Sequence, residues 1–152
     1  TPGVALEKRQ TKVNIKYCKR AKDLNVDLHG TPPVQRRPIE AELKISSVTM
    51  NNSGMAATYE GNVGKYGMVI ASHNYLPSND TETKGSFTGS VQAINDAGNV
   101  DRSATAGIWS RTGTKMRIYG YDDDDLSRIM WVGDADLKAK TLSVKVWELD
   151  QQ

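Results

Sequence analysis

The densest group of reactive side chains in this chain is acidic. Asp122, Asp123, Asp124 and Asp125 are consecutive, and Asp134 and Asp136 follow a short apolar run later. Grouped carboxylates can cage Ca²⁺, which takes roughly six to eight oxygen ligands. They can also form an acid pair, if two of them face each other across a cleft. The flanking segments 115–121 and 127–133 alternate apolar and polar residues as strands do, so residues 122–125 read as the loop of a hairpin and Asp134 and Asp136 as the next turn. A seven-residue strand rises about 23 Å at about 3.3 Å per residue. One subunit therefore cannot bring both groups to one ion. Two subunits stacked end to end could share calcium through Asp122, Asp124, Asp134 and Asp136, and calcium is the one cofactor the sequence admits. The spacing does not follow the EF-hand pattern, and the plainer reading is a set of solvated turns.

Other chemistry is sparse. His29 and His73 are the only histidines, and no Cys pair or His-x-x-x-His spacing supplies the further ligands of a zinc site. His73, in "VIASHNYLP", reads as a hydrogen-bonded residue near a strand end. Cys18 is the single cysteine, which excludes an internal disulfide and favours a reducing compartment or a virion-type particle over secretion. Lys19 and Arg20 follow it and would favour its thiolate. No Gly-x-Ser-x-Gly or Cys-His signature marks a nucleophile. "GNVGKYG" (61–67) lacks the ending and the helix of a phosphate loop and reads as a turn. Trp109, Trp131 and Trp147 with Tyr59, Tyr66, Tyr119 and Tyr121 could line a ligand- or sugar-binding face, Trp109, Tyr119, Tyr121 and Trp131 being the leading set. In a chain with one Phe, their alternative use is filling the core.

Charge is segregated. Residues 1–38 hold nine Lys or Arg against three acids, a balance of +6, whereas residues 39–152 hold 11 against 15, a balance of −4. Lys8, Arg9, Lys12, Lys16, Lys19, Arg20, Lys22, Arg36 and Arg37 could meet a polyanion, nucleic acid included, or the acidic body of a second copy. Tyr17 is the one aromatic among them, so such contact would be electrostatic and without a stacking platform. No apolar run approaches the roughly 20 residues of a membrane helix, and no signal-peptide pattern opens the chain. These features favour a cytoplasmic or particle-borne protein.

The elements that must position these residues are strands. Val13, Ile15 and Tyr17 alternate, as do Leu24, Val26 and Leu28. Three prolines in 30–38 then read as an extended linker. This divides the chain into a basic N-terminal arm and hairpin, 1–38, and a β domain, 39–152. Ala41, Leu43 and Ile45 share one face, and Val48 and Met50 continue one residue out of phase, which predicts a bulge at Ser46–Ser47. Further strands follow between Gly- and Asn-rich turns, with a hairpin signal at 111–114 and Leu142, Val144 and Val146 facing inward near the end. Eight to ten strands with short connections and no crossover helix predict an all-β fold, an antiparallel sandwich or an up-and-down barrel.

With no coherent catalytic set, the leading expectation is a non-enzymatic, homo-oligomeric assembly subunit of a shell, tail or filament. The alternatives are a ligand- or carbohydrate-binding barrel of lipocalin or avidin architecture, and an enzyme whose groups sit on barrel loops.

Overall fold

A computed structural model describes residues 37–123 and 128–149. The expected arm, the hairpin at 13–28 and the basic residues from Lys8 to Arg36 lie outside the described residues. Asp124 lies outside them too.

Among the described residues the fold is all-β. Eight strands run in chain order: β1 (Ile39–Asn51), β2 (Gly54–Asn62), β3 (Met68–Pro77), β4 (Lys84–Ile94), β5 (Val100–Thr112), β6 (Lys115–Asp123), β7 (Arg128–Asp136) and β8 (Thr141–Glu148). Each pairs antiparallel with its neighbours, and β1 pairs with β8, so the sheet is a closed up-and-down barrel. The closing register runs from Ile39 opposite Val146 to Lys44 opposite Thr141. Of the two architectures the sequence allowed, the barrel is the one formed. Among the described residues no helix is long and apolar enough to cross a membrane.

Sequence alternation explains the strands. In β3, Val69, Ala71, His73 and Tyr75 point inward and are buried, while Met68, Ile70, Ser72, Asn74 and Leu76 are exposed. Apolar side chains face in and charged ones such as Lys44, Glu60, Arg117 and Asp134 face out. The predicted bulge is present. The β1–β2 register slips between Ile45 and Ser47, which keeps Leu43 and Ile45 buried and returns Val48 to a half-buried position packed on the core. At the same place the Ile45 N–H donates to the carbonyl of Lys140 at 2.9 Å. The residues 111–115 form the expected hairpin, with Gly113 at φ +61°.

Two expectations for the acidic group are corrected. Asp122 is not in a loop, because β6 continues to Asp123 and its inward series is Met116, Ile118, Gly120 and Asp122. Asp134 is not in a turn but on β7, where Arg117 of β6 donates to its carboxylate, with Nη2 to Oδ2 at 3.1 Å. Polar residue type was read as loop, whereas strand parity decided which way each carboxylate points. Asp136 ends β7 and organises the turn to β8: its Oδ1 accepts the N–H groups of Lys138 and Ala139, both at 3.0 Å. These bonds hold its carboxyl below the usual carboxylate range. The separation of the groups holds. Asp122 lies opposite Ile129 and Asp136 opposite Lys115, at the two ends of β7.

The barrel has an upper end, where the β2–β3 and β4–β5 connections and the ends of β6 and β7 at Asp123 and Arg128 lie, and a lower end with the other four connections. Large rings fill its middle, above a hollow of about 280 Å³ at the lower end. Tyr59, Tyr75, Phe87 and Ile118 are the largest wholly buried side chains, and Trp109, Met116 and Trp131 are buried with them. Trp131 lies across Gly120, its partner on β6, and a Cβ there would collide with the indole ring. The Gly120→Ala variant should therefore lose about 1–3 kcal/mol of stability, the usual cost of overpacking a core. Denaturant titration measures it, and stability equal to the parent's would show that Trp131 is free to move.

Candidate binding cavity

Above the rings, the inward residues become small or β-branched: Ala71, Ala93 and Ser103, with Val69, Val91, Val144 and Val146. They leave a cavity of about 100 Å³ whose floor includes Tyr59, His73 and Trp131 and whose upper edge carries Asp101, Ser103, Asp122 and Tyr66. An eight-stranded barrel is just wide enough either to be filled by side chains or to hold one small ligand. Here rings fill the middle, and among the described residues space is left above them and, at the lower end, in a hollow of about 280 Å³ beside Tyr75, Trp109, Met116 and Leu137.

The floor is an interlocked set of rings. His73 stacks on Trp131 with centroids 5.5 Å apart and planes 24° apart, and it also contacts Phe87 at 4.8 Å and Tyr59 at 4.9 Å. Tyr75 meets Trp109 edge-on at 6.0 Å. Through this set runs a hydrogen-bonded chain. The Tyr59 and Tyr75 hydroxyls are 2.7 Å apart, and the Tyr75 hydroxyl is 2.8 Å from His73 Nδ1. Among the described residues His73 Nε2 has no hydrogen-bond partner. His73 was expected near a strand end. It sits inside β3 and is only 3% exposed. Burial is also what pushes its pKa down to about 4, because the imidazolium loses its water. Burial likewise raises the Tyr59 hydroxyl to about 12. The floor is uncharged at neutral pH.

At the upper edge, Asp122 Oδ1 accepts the Trp131 indole N–H at 3.2 Å. The β2–β3 connection is a short 3-10 turn, Gly64–Tyr66, flanked by Gly64 at φ +46° and Gly67 at φ +80°, where glycine avoids the left-handed penalty of other residues. The turn brings Tyr66 to Glu148, whose carboxylate accepts the phenol O–H at 2.8 Å. Lys65 pairs with the same carboxylate. Glu148 is thereby paired although it is buried at the end of β8.

The structure separates the residues the sequence grouped. Trp109 and Trp131 point inward, Trp131 onto the cavity, while Tyr119 and Tyr121 stand outside on β6. Asp122 reaches the cavity edge, but Asp134 and Asp136 are at the lower end, and no group of three or more metal-ligating side chains occurs among the described residues. Arg37, the one described residue of the basic set, is exposed just before β1. The sequence offers Tyr59 and Tyr66 as ligand-facing aromatics but does not join Tyr59 to His73 and Tyr75. Their signal was parity: His73 shares a strand face with Val69, Ala71 and Tyr75, so it had to point into the core. Comparisons with protein-family models, with curated proteins and with solved structures found no match.

The burial of His73 sets a pH dependence. The unfolded chain binds its proton near pH 6.5 and the folded chain only near 4, so the unfolded state holds more protons between those values. Stability is whole above pH 6.5 and falls as the pH drops towards 4. From pH 7 to pH 5 this group should remove about 2 kcal/mol. Urea titrations of the parent and His73→Leu at both pH values test it. Equal pH sensitivity in the two proteins would mean that His73 is not held neutral.

Proposed function

We propose that this barrel binds a small, largely apolar organic molecule, taken into the interior from the upper end. The observation that carries the reading is the cavity itself: about 100 Å³ of space enclosed by aliphatic walls over a floor that holds a buried histidine. Ligand sites of this kind combine apolar walls with a few fixed polar groups. A filled core would leave neither the space nor the uncovered imidazole nitrogen. For comparison, cavities of about 150 Å³ lined by aliphatic and aromatic residues hold benzene. A single ring, with part of the molecule reaching the mouth, suits the size.

The test is to fill the cavity. Ala71 and Ala93 face it from β3 and β4. Toluene should raise the melting temperature of the parent by binding only the folded state, and Ala71→Leu with Ala93→Leu should abolish that rise. No toluene effect on the parent would sink the reading.

A second reading, a subunit of an assembly, draws on the outer face. Ile108 lies beside Tyr119, and Tyr121 beside Met130, and these four are 42% to 60% exposed. Contiguous apolar surface of this kind marks interaction sites. If copies associate through it, native mass spectrometry should give oligomers that persist at high salt, and Ile108→Lys with Tyr121→Lys should give monomers. A parent that runs as a monomer would refute it. Contact between basic arm and acidic body would behave oppositely, weakening as salt screens charges over about 8 Å.

A further inference from the structure

The hollow at the lower end of the bore is separate from the cavity above the rings. Tyr75, Trp109, Met50, Met55, Met116 and Leu137 line it, so its wall is mostly apolar. Met50 lies opposite Met55 across β1 and β2. Into this wall β5 brings a cation. Arg111 stands two residues beyond Trp109 on the inward series of β5, is half-buried, and lines the hollow. Its Nη1 donates to the carbonyl of Gly113 at 2.8 Å and its Nη2 to the carbonyl of Glu82 at 2.9 Å. These bonds brace two turns and use two of the five guanidinium N–H groups. They leave the charge unbalanced. Among the described residues no carboxylate forms an ion pair with Arg111, and the ion pairs lie at Lys65, Arg117, Arg128 and Lys145.

We propose that the lower hollow is a second binding site, for an organic carboxylate whose apolar body lies on the methionines and rings and whose anionic head pairs with Arg111. The guanidinium fork matches the geometry of a carboxylate, and methionine side chains adapt to apolar bodies of varied shape. The hollow, at about 280 Å³, is roughly twice the size of the apolar cavities of about 150 Å³ that hold benzene. Two fused rings or a chain of medium length suits it, whereas the upper cavity takes one ring. The surrounding charge does not oppose an anion. In the lower-end connections and the strand ends they join, Lys84, Lys115, Lys138 and Lys140 stand against Asp80, Glu82 and Asp136. Glu82, the one acid of the lining, is exposed, where water screens it.

Octanoate and 1-octanol are probes with the same chain and different heads. Each is titrated into the full chain at pH 7, with the methionine methyl groups followed by NMR. Octanoate should shift the Met55 and Met116 signals and leave those of Met68 and Met130, which are exposed. It should bind about tenfold tighter than octanol, a fold-change in keeping with one charge-assisted hydrogen bond. Arg111→Gln should remove that advantage and leave octanol binding unchanged, and Arg111→Lys, which keeps the charge, should retain most of it. Ala71→Leu with Ala93→Leu, which fills the upper cavity, should change neither. If Arg111→Gln does not fold, the ratio of the two probes in the parent and in Arg111→Lys carries the test. Octanol binding as tightly as octanoate, octanoate affinity unchanged in Arg111→Gln, or signals that move at Met68 and Met130 instead would each overturn the site. Loss of octanoate binding in the double leucine variant would place the ligand above the rings and overturn it too. No octanoate binding at all would end this proposal and leave the toluene reading of the upper cavity standing.

Discussion

Everything in this molecule depends on the pairing of β1 with β8. Without it the eight strands would form an open sheet with two exposed edges, each a row of unpaired N–H and C=O groups. With it the edges vanish and the sheet encloses a bore of nearly fixed width. What the bore contains is then decided by which side chain each strand turns inward at each level. Across the middle those side chains are Tyr59, Tyr75, Phe87 and Trp131, and they fill it. Above it they are mostly alanine, valine and leucine, and among the described residues they leave space. The bulge at Ser46 belongs to the same constraint. It turns Val48 back to the core after Ile45, while Met50 beyond it stays exposed, and it does so where Lys140 in the β7–β8 turn accepts the Ile45 N–H.

Trp131 joins the two halves. Its ring stacks on His73, its face lies where Gly120 leaves room, and its N–H is bound by Asp122 at the mouth. An indole buried with its N–H unmatched would lose about 1–3 kcal/mol, so the inward turn of Asp122 completes the packing of Trp131 while putting a carboxylate at the cavity edge. The floor and the mouth are therefore not independent. A change that moves the indole shifts both the stacking of His73 and the position of Asp122.

Alternation made most strands legible in the sequence, and the out-of-phase Val48 located the bulge. Closure was not legible, because the same apolar-in, polar-out pattern serves a sandwich, and only the identity of the last pairing partner separates the two. Asp122 and Asp134 were misplaced for one reason. Their polarity outweighed their parity, although the series Met116, Ile118, Gly120, Asp122 carries the answer. Parity also separates Trp109 and Trp131 from Tyr119 and Tyr121. On β5 and β7 the odd positions face in, on β6 the even ones do, so odd-numbered aromatics on adjacent strands end on opposite faces. His73 was overlooked because a lone histidine carries no spacing pattern. Its meaning comes from Tyr59, 14 residues earlier on the neighbouring strand, and from Tyr75, two residues later on its own strand.

The polar chain in the floor is also the strongest argument that the interior is more than packing. Phenylalanine at 59 and 75 and leucine at 73 would fill much the same space without a polar atom. The observed residues leave one donor and one acceptor on a buried wall, at a cost of about 1–3 kcal/mol for an unmatched group. A half-satisfied buried network is worse for stability than an apolar core. The unfilled upper half adds a second cost, because cavity walls lose the contacts that filling would give them. Ring closure makes the bore and the aromatic rings divide it, and the space above them is walled among the described residues by alanine, valine and leucine.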